Sequence, residues 1–193
     1  MLAVRHADVV LRPPAPGDVD ALWALASDPE VTRWFSWGPY RARSEPEAYV
    51  ERATRRARRG EQLDLVVVRD GVGVVGVTGL SEVVRRDRRA IIGSWLGREH
   101  WGTGVNATAK AALIGLAFDH LGFERLGAYT DVANGRSQTA LERVGFRREG
   151  VLRGYHRHGE VQKDVCLYGL LLAEAPARRV EVSGELPEPF LVA

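Results

Sequence analysis

Apolar residues recur along this chain in two periods, and the changes of period mark its elements. VVLRPPAPGD (Val9 to Asp18) begins as a strand and ends in prolines. Asp18 is then placed to cap a helix whose apolar residues Val19, Leu22, Trp23 and Ala26 fall at helical spacing. Asp28-Pro29 opens a second short helical turn. WFSWGPY (Trp34 to Tyr40) is too rich in Gly and Pro for regular structure, and such an aromatic loop either packs over a core or walls a pocket. Ser44 and Glu47 match the S-x-x-E capping box, which predicts a helix running to Gly60.

The pattern then turns to strands. LDLVVV (Leu63 to Val68), the tight turn Asp70-Gly71, VGVVGVTGL (Val72 to Leu80) and AIIGSWLG (Ala90 to Gly97) predict an antiparallel meander. Val105, Ala109, Ala112 and Leu116 share one face of a helix that Gly122 closes. RLGAYTDV (Arg125 to Val132) predicts a buried strand, Asn134 the cap of a short helix, and REGVLRGYH with KDVCLYGLLL a hairpin around His158-Gly159. The class is α+β, not a repeated βαβ array. Residues 1–172 form one domain on this reading, and the Pro-rich, aperiodic 173–193 a loosely ordered tail or a flap.

Composition narrows the class further. With 45% apolar and 27% charged residues in 193, the chain suits one soluble globular domain with a real core. Lys plus Arg number 27 against 25 Asp plus Glu, so the balance does not call for a nucleic-acid or membrane partner, and RRARRG (Arg55 to Gly60) and RRDRR (Arg85 to Arg89) read as solvated surface. Cys166 is the only cysteine, which excludes an internal disulfide and suits an inert core position. MLAVRHADVV carries charges where a signal peptide needs its apolar stretch, and no uncharged apolar run nears the roughly 18 residues of a membrane span. The cytoplasm is the expected location. His156, His158 and Cys166 match no zinc spacing, so no metal is expected.

The stretch EHWGTGVNATAK (Glu99 to Lys110) carries the chemistry. Two glycines at a helix start let the backbone bend sharply and leave N–H groups unpaired, a setting that suits an anion. A dinucleotide fingerprint needs a third glycine where Ala107 stands, and an NTP-binding loop needs Gly-Lys-Ser/Thr, so neither fits.

Together with LRPPAPGDVDAL, VVGVTGL, the run from IIGSWLG to FERL, VANGRSQTALERVGFRREGVLRG and KDVCLYGLL, this stretch resembles the GNAT superfamily of acyl-CoA-dependent N-acyltransferases, in its RimJ/RimL-type branch. The resemblance spans roughly Val9 to Leu172. It implies a mixed, mostly antiparallel central sheet with a splayed pair of strands at the acyl-CoA site, helices on both faces, and acetyl-CoA as co-substrate. The family's Q/R-x-x-G-x-G/A loop, which holds the pyrophosphate through backbone amides, is matched by Glu99 to Gly104, with Glu99 in place of Gln or Arg. The implied cofactor-binding residues are Trp95, Leu96, Gly97, Gly102, Thr103, Gly104, Val105, Asn106, Asn134 and Ser137, while His100 and Trp101 either line the pantetheine or fill the turn.

Acetyl transfer to an amine needs a deprotonated amine, a placed carbonyl, an oxyanion donor and a group to quiet the leaving thiolate. The resemblance assigns a backbone amide near Trp95 or Leu96 to the carbonyl, Asn134 to a pantetheine amide and Ser137 to the thiolate. Without it, Asn134 is a helix cap and Ser137 a first-turn residue. For the base, His156 on the hairpin arm and Glu82 after VVGVTGL are the candidates. Trp34, Phe35, Trp37, Tyr40 and Tyr155 are expected to shape the acceptor pocket. The expected function is direct transfer from acetyl-CoA to a primary amine, either a protein N-terminus or a small molecule, with no nucleic-acid or membrane partner. The resemblance admits a homodimer. The alternative is a non-catalytic acyl-CoA-binding module.

Overall fold

The alternating apolar positions at the N-terminus form two strands in the computed structural model, which describes residues 1–177 and 179–192. β1 (Ala3–His6) and β2 (Val9–Arg12) turn about Ala7 at φ +50° and point Val4, Val9 and Leu11 into the core. Only β2 is read from the sequence, because the four residues of β1 offer one inward apolar position. Asp18 does not cap α1 (Val19–Ala26): its carboxylate accepts from the Ala15 amide at 2.8 Å and from both Arg12 guanidinium nitrogens at 2.8 and 2.7 Å, locking the preceding turn. Asp28 does cap α2 (Pro29–Thr32), through Glu30 N at 2.8 Å.

The expected capping box is not made at α3 (Ser44–Arg58). Ser44 lies inside the first turn, and the Glu45 carboxylate instead takes the Arg41 and Ala42 amides, each at 3.2 Å. The meander β3 (Leu63–Arg69), β4 (Gly73–Val84) and β5 (Arg89–Leu96) follows as expected. Then come α4 (Val105–Gly115) with a π turn after it, β6 (Arg125–Asp131), α5 (Gly135–Glu142), and the hairpin of β7 (Arg147–His158) and β8 (Val161–Leu171).

The segment read as a loose tail or flap is instead part of the fold. Its β9 (Glu181–Ser183) pairs antiparallel with β1, Val180 meets Gly115 of α4, and Phe190 is fully buried in the main core. Sequence periodicity misses this because the segment adds single anchors between prolines rather than a repeating face.

Among the described residues nine strands run in the order β7-β8-β6-β5-β4-β3-β2-β1-β9. Every pair is antiparallel except β5 with β6. Helices cover both faces. Val105, Ala109, Ala112 and Leu113 of α4 join the main core on one face, while Val19 and Leu22 of α1 and Val50 of α3 pack on Val66 and Val77 on the other. Each such buried Val or Leu side chain contributes about 1.5–3 kcal/mol. No helix of the described residues is long and apolar enough to cross a membrane.

Candidate active site

The parallel pair stops early. Arg89, Ala90 and Ile91 pair with Arg125, Leu126 and Gly127, after which β5 and β6 diverge. A cavity of about 770 Å³ occupies the wedge. Strand alternation divides its walls: Ile92, Ser94, Ala128 and Thr130 lie on the α4 face, and Trp95 and Tyr129 on the opposite face.

At one end of the wedge stands the Gly-x-Gly turn. Gly102 and Gly104 have φ +75° and +88°, and a Cβ at either would meet nothing within 4 Å. The amides of Ala107 and Thr108 return to the Gly104 carbonyl at 2.9 and 3.2 Å. Among the described residues nothing in the backbone accepts from the amides of residues 102–106. Those unpaired donors and the positive helix end suit a phosphate. Trp101 is fixed by Nε1 donating to the Leu96 carbonyl at 2.9 Å, and the Arg136 guanidinium lies 3.4 Å over its ring.

Several expected contacts of this arm are structural. Gly97 faces Leu25, where a Cβ would come within 2.4 Å of Cδ2. The Thr103 hydroxyl donates to the His100 carbonyl at 2.8 Å, and Val105 is buried in the core. His100 meets the Glu99 carboxylate at 3.3 Å. None of these four residues lines the cavity, whereas Trp95, Leu96, Trp101, Gly102, Gly104, Asn106, Asn134 and Ser137 all do. Asn134 is cap and wall at once: its Oδ1 accepts from Ser137 N at 3.2 Å, which leaves its amide N–H groups free to face a ligand.

Across the sheet, Trp34, Phe35 and Trp37 line the cavity, and Trp37 packs edge-on to Trp95 at 5.8 Å. Tyr40 is outside it, stacked behind Trp37 at 5.6 Å, with burial pushing its hydroxyl up to about 12. His156 lines the cavity. Burial, and then the nearby His158, hold its imidazole below the usual 6.5 against the pull of Glu82, which favours the neutral ring. Glu82 and Tyr155 do not line the cavity but meet there through Tyr129, whose hydroxyl donates to Glu82 at 3.3 Å and shares a bond with Tyr155 at 3.1 Å. Glu82 sits at φ +47° in the bulge that interrupts β4 pairing after Ser81, which turns its carboxylate toward this cluster.

A family model for the GNAT acetyltransferase domain matches residues 8–147. The chain belongs to the GNAT acetyltransferases. It is 30% identical over 158 residues to the uncharacterized N-acetyltransferase p20 of Bacillus licheniformis, covering 81% of this chain and 89% of that one. It is 27% identical over 165 residues to the uncharacterized N-acetyltransferase YoaA of Bacillus subtilis, covering 84% and 93%. Among solved structures, Mycobacterium smegmatis RimJ in complex with CoA-disulfide superposes with a TM-score of 0.82 at 25% identity, over 91% of this chain and 88% of that one. The chain is therefore an acetyl-CoA-dependent N-acetyltransferase, and the GNAT fold read from the sequence is the fold present.

This GNAT enzyme also holds site residues that the sequence reading passes over. Lys110 is 5% exposed, and its ammonium donates to Ser94 Oγ and Asn106 Oδ1, each at 2.6 Å. Burial alone pulls it down to about 8. Thr130 and Arg136 join the same walls. The available signal was the i,i+4 spacing of Asn106 and Lys110 on a helix whose remaining inward positions are apolar.

Proposed function

We propose that this GNAT enzyme acetylates a small, partly apolar primary amine by direct transfer in a ternary complex. The supporting observation is that one cavity joins the unpaired amides of Gly102, Gly104 and Asn106 to His156 set among aromatic rings. In this reading the loop amides hold the pyrophosphate, and Asn134 bonds a pantetheine amide. A β5 amide near Trp95 or Leu96 takes the thioester carbonyl. His156 accepts the amine's proton, with Glu82 acting behind Tyr129. The amine nitrogen bonds to the carbonyl carbon, the C–S bond breaks, and Ser137 donates to the departing thiolate.

An α-amine titrates near about 7.7–8.0, so a base of imidazole strength suffices. Phe35, Trp37 and Trp95 supply an apolar wall, and Asp131, the one cavity-lining carboxylate among the described residues, accepts from the Ala133 amide at 2.8 Å. Thiol release from acetyl-CoA over peptides with different N-termini, free amino acids, polyamines and aromatic amines tests this. Dominant turnover of a ribosomal-protein N-terminus would defeat the small-amine assignment.

A further inference from the structure

Lys110 is the buried cation that the acetyl-transfer chemistry leaves unused. Its side chain runs back toward the start of α4, as long helical side chains do, and its two acceptors, Ser94 Oγ and Asn106 Oδ1, are both neutral. An ammonium has three N–H donors, so one lacks an acceptor. Among the described residues no carboxylate pairs with it.

The strand register shows where this cation stands. Ile91 faces Gly127 in the last parallel pair, so Ser94 and Thr130, each three residues on, are level across the open wedge and on the same face. The Thr130 hydroxyl is buried and has no partner. In Lys110 and Thr130 the α4 side of the wedge thus carries a buried cation and a buried hydroxyl that are both short of acceptors. Burying such groups is costly unless something compensates them. A carboxylate, able to accept from both, supplies the missing acceptors.

The carboxylate belongs on the donor's acyl group rather than on the amine. Ser94 and Lys110 lie on the α4 face, on the helix whose N-terminus bears the unpaired amides. Trp95, Tyr129 and His156, which wall the amine's side, cluster on the other face. Resting on the acetyl-transfer reading above, we propose that the wedge also accepts a short dicarboxylic acyl-CoA, with the terminal carboxylate seated on Lys110 and Thr130. Transfer then follows the same course: the amine bonds to the thioester carbon, CoA leaves as thiol, and the product amide carries a free carboxylate.

Equilibrium binding in the absence of amine tests this without requiring turnover. Succinyl-CoA is compared with butyryl-CoA, which has the same chain length and no carboxylate, on the wild type, Lys110→Met and Thr130→Val. The expected result is at least about tenfold tighter binding of succinyl-CoA to the wild type, abolished in K110M and reduced severalfold in T130V. Met fills the lysine's volume without charge, and removing an unpaired buried cation should leave the fold intact by thermal melting. Equal binding of the two donors overturns the proposal. So does a preference that survives in K110M. Thiol release from acetyl-CoA, run alongside, tests the acetyl-transfer reading separately.

Discussion

Replacing Gly104 by alanine separates the role of the turn in folding from its role in binding. Gly104 caps α4 at φ +88° and ψ −22°, where an L-residue costs about 1–2 kcal/mol. The added Cβ meets no atom within 4 Å, so no packing penalty adds to this. For a chain of 193 residues each kcal/mol lowers the melting temperature by about 2–4 °C, giving a drop of roughly 2–8 °C. The same methyl projects from the backbone that presents its amides to the cofactor. An amide bond to a charged oxygen is worth about 1.5–3 kcal/mol, so displacing one weakens CoA by roughly 10- to 150-fold. Calorimetric titration with CoA and a thermal melt on one preparation check both numbers. A G104A protein that melts lower as expected yet binds CoA within about threefold of the wild type refutes the assignment of the pyrophosphate to these amides.

Other substitutions probe different links. His156→Ala should lower kcat/KM by about 100-fold. The wild-type acid limb should fall below pH 6.5, because the folded imidazole titrates lower than usual, and the limb should be absent in the variant's pH profile. Phe190→Ala, at a fully buried position, should cost about 3–5 kcal/mol in urea unfolding, and an unchanged midpoint would contradict the docking of the C-terminal segment. At Asp18 burial raises the carboxyl pKa, but the Arg12 bond and the Ala15 amide lower it more, so the net shift is downward. Its stabilisation is therefore complete above the unfolded value of about 3.9 and is lost as pH falls through the folded one. Asp18→Asn should destabilise by about 3 kcal/mol at neutral pH and flatten the acid unfolding curve, measured by denaturation at several pH values.

What was legible in the sequence is what rests on local periodicity and turn chemistry. The β3–β4–β5 meander, the glycine closing α3, the Asn134 cap and the final hairpin all follow from short windows, whereas Gly122 follows the π turn beyond α4 rather than closing α4 itself. Competing local bonds decided the caps that differed, since Asp18 and Glu45 had more than one amide within reach. Positions 173–192 escaped because their anchors, Val180 and Phe190, answer to distant partners. Along the cavity, the loop glycines were readable from type and spacing and His156 from the family resemblance, whereas Lys110 was not. A lysine on a helix is ordinarily solvated, and only the crossing of β5 under α4 shows that this one is buried.

The early end of the β5–β6 ladder has a mechanical consequence. Strands β9 and β1 to β5 form one plate, β6 to β8 a second, and three residue pairs in the sheet hinge them. Past the hinge, the backbone groups on the facing edges of β5 and β6 have no strand to meet. A ligand chain rich in amides can enter as a short surrogate strand and finish the interrupted ladder. Loading the donor would then stiffen the sheet across its middle, so that hydrogen exchange in Ile92 to Leu96 and Ala128 to Asp131 would slow together.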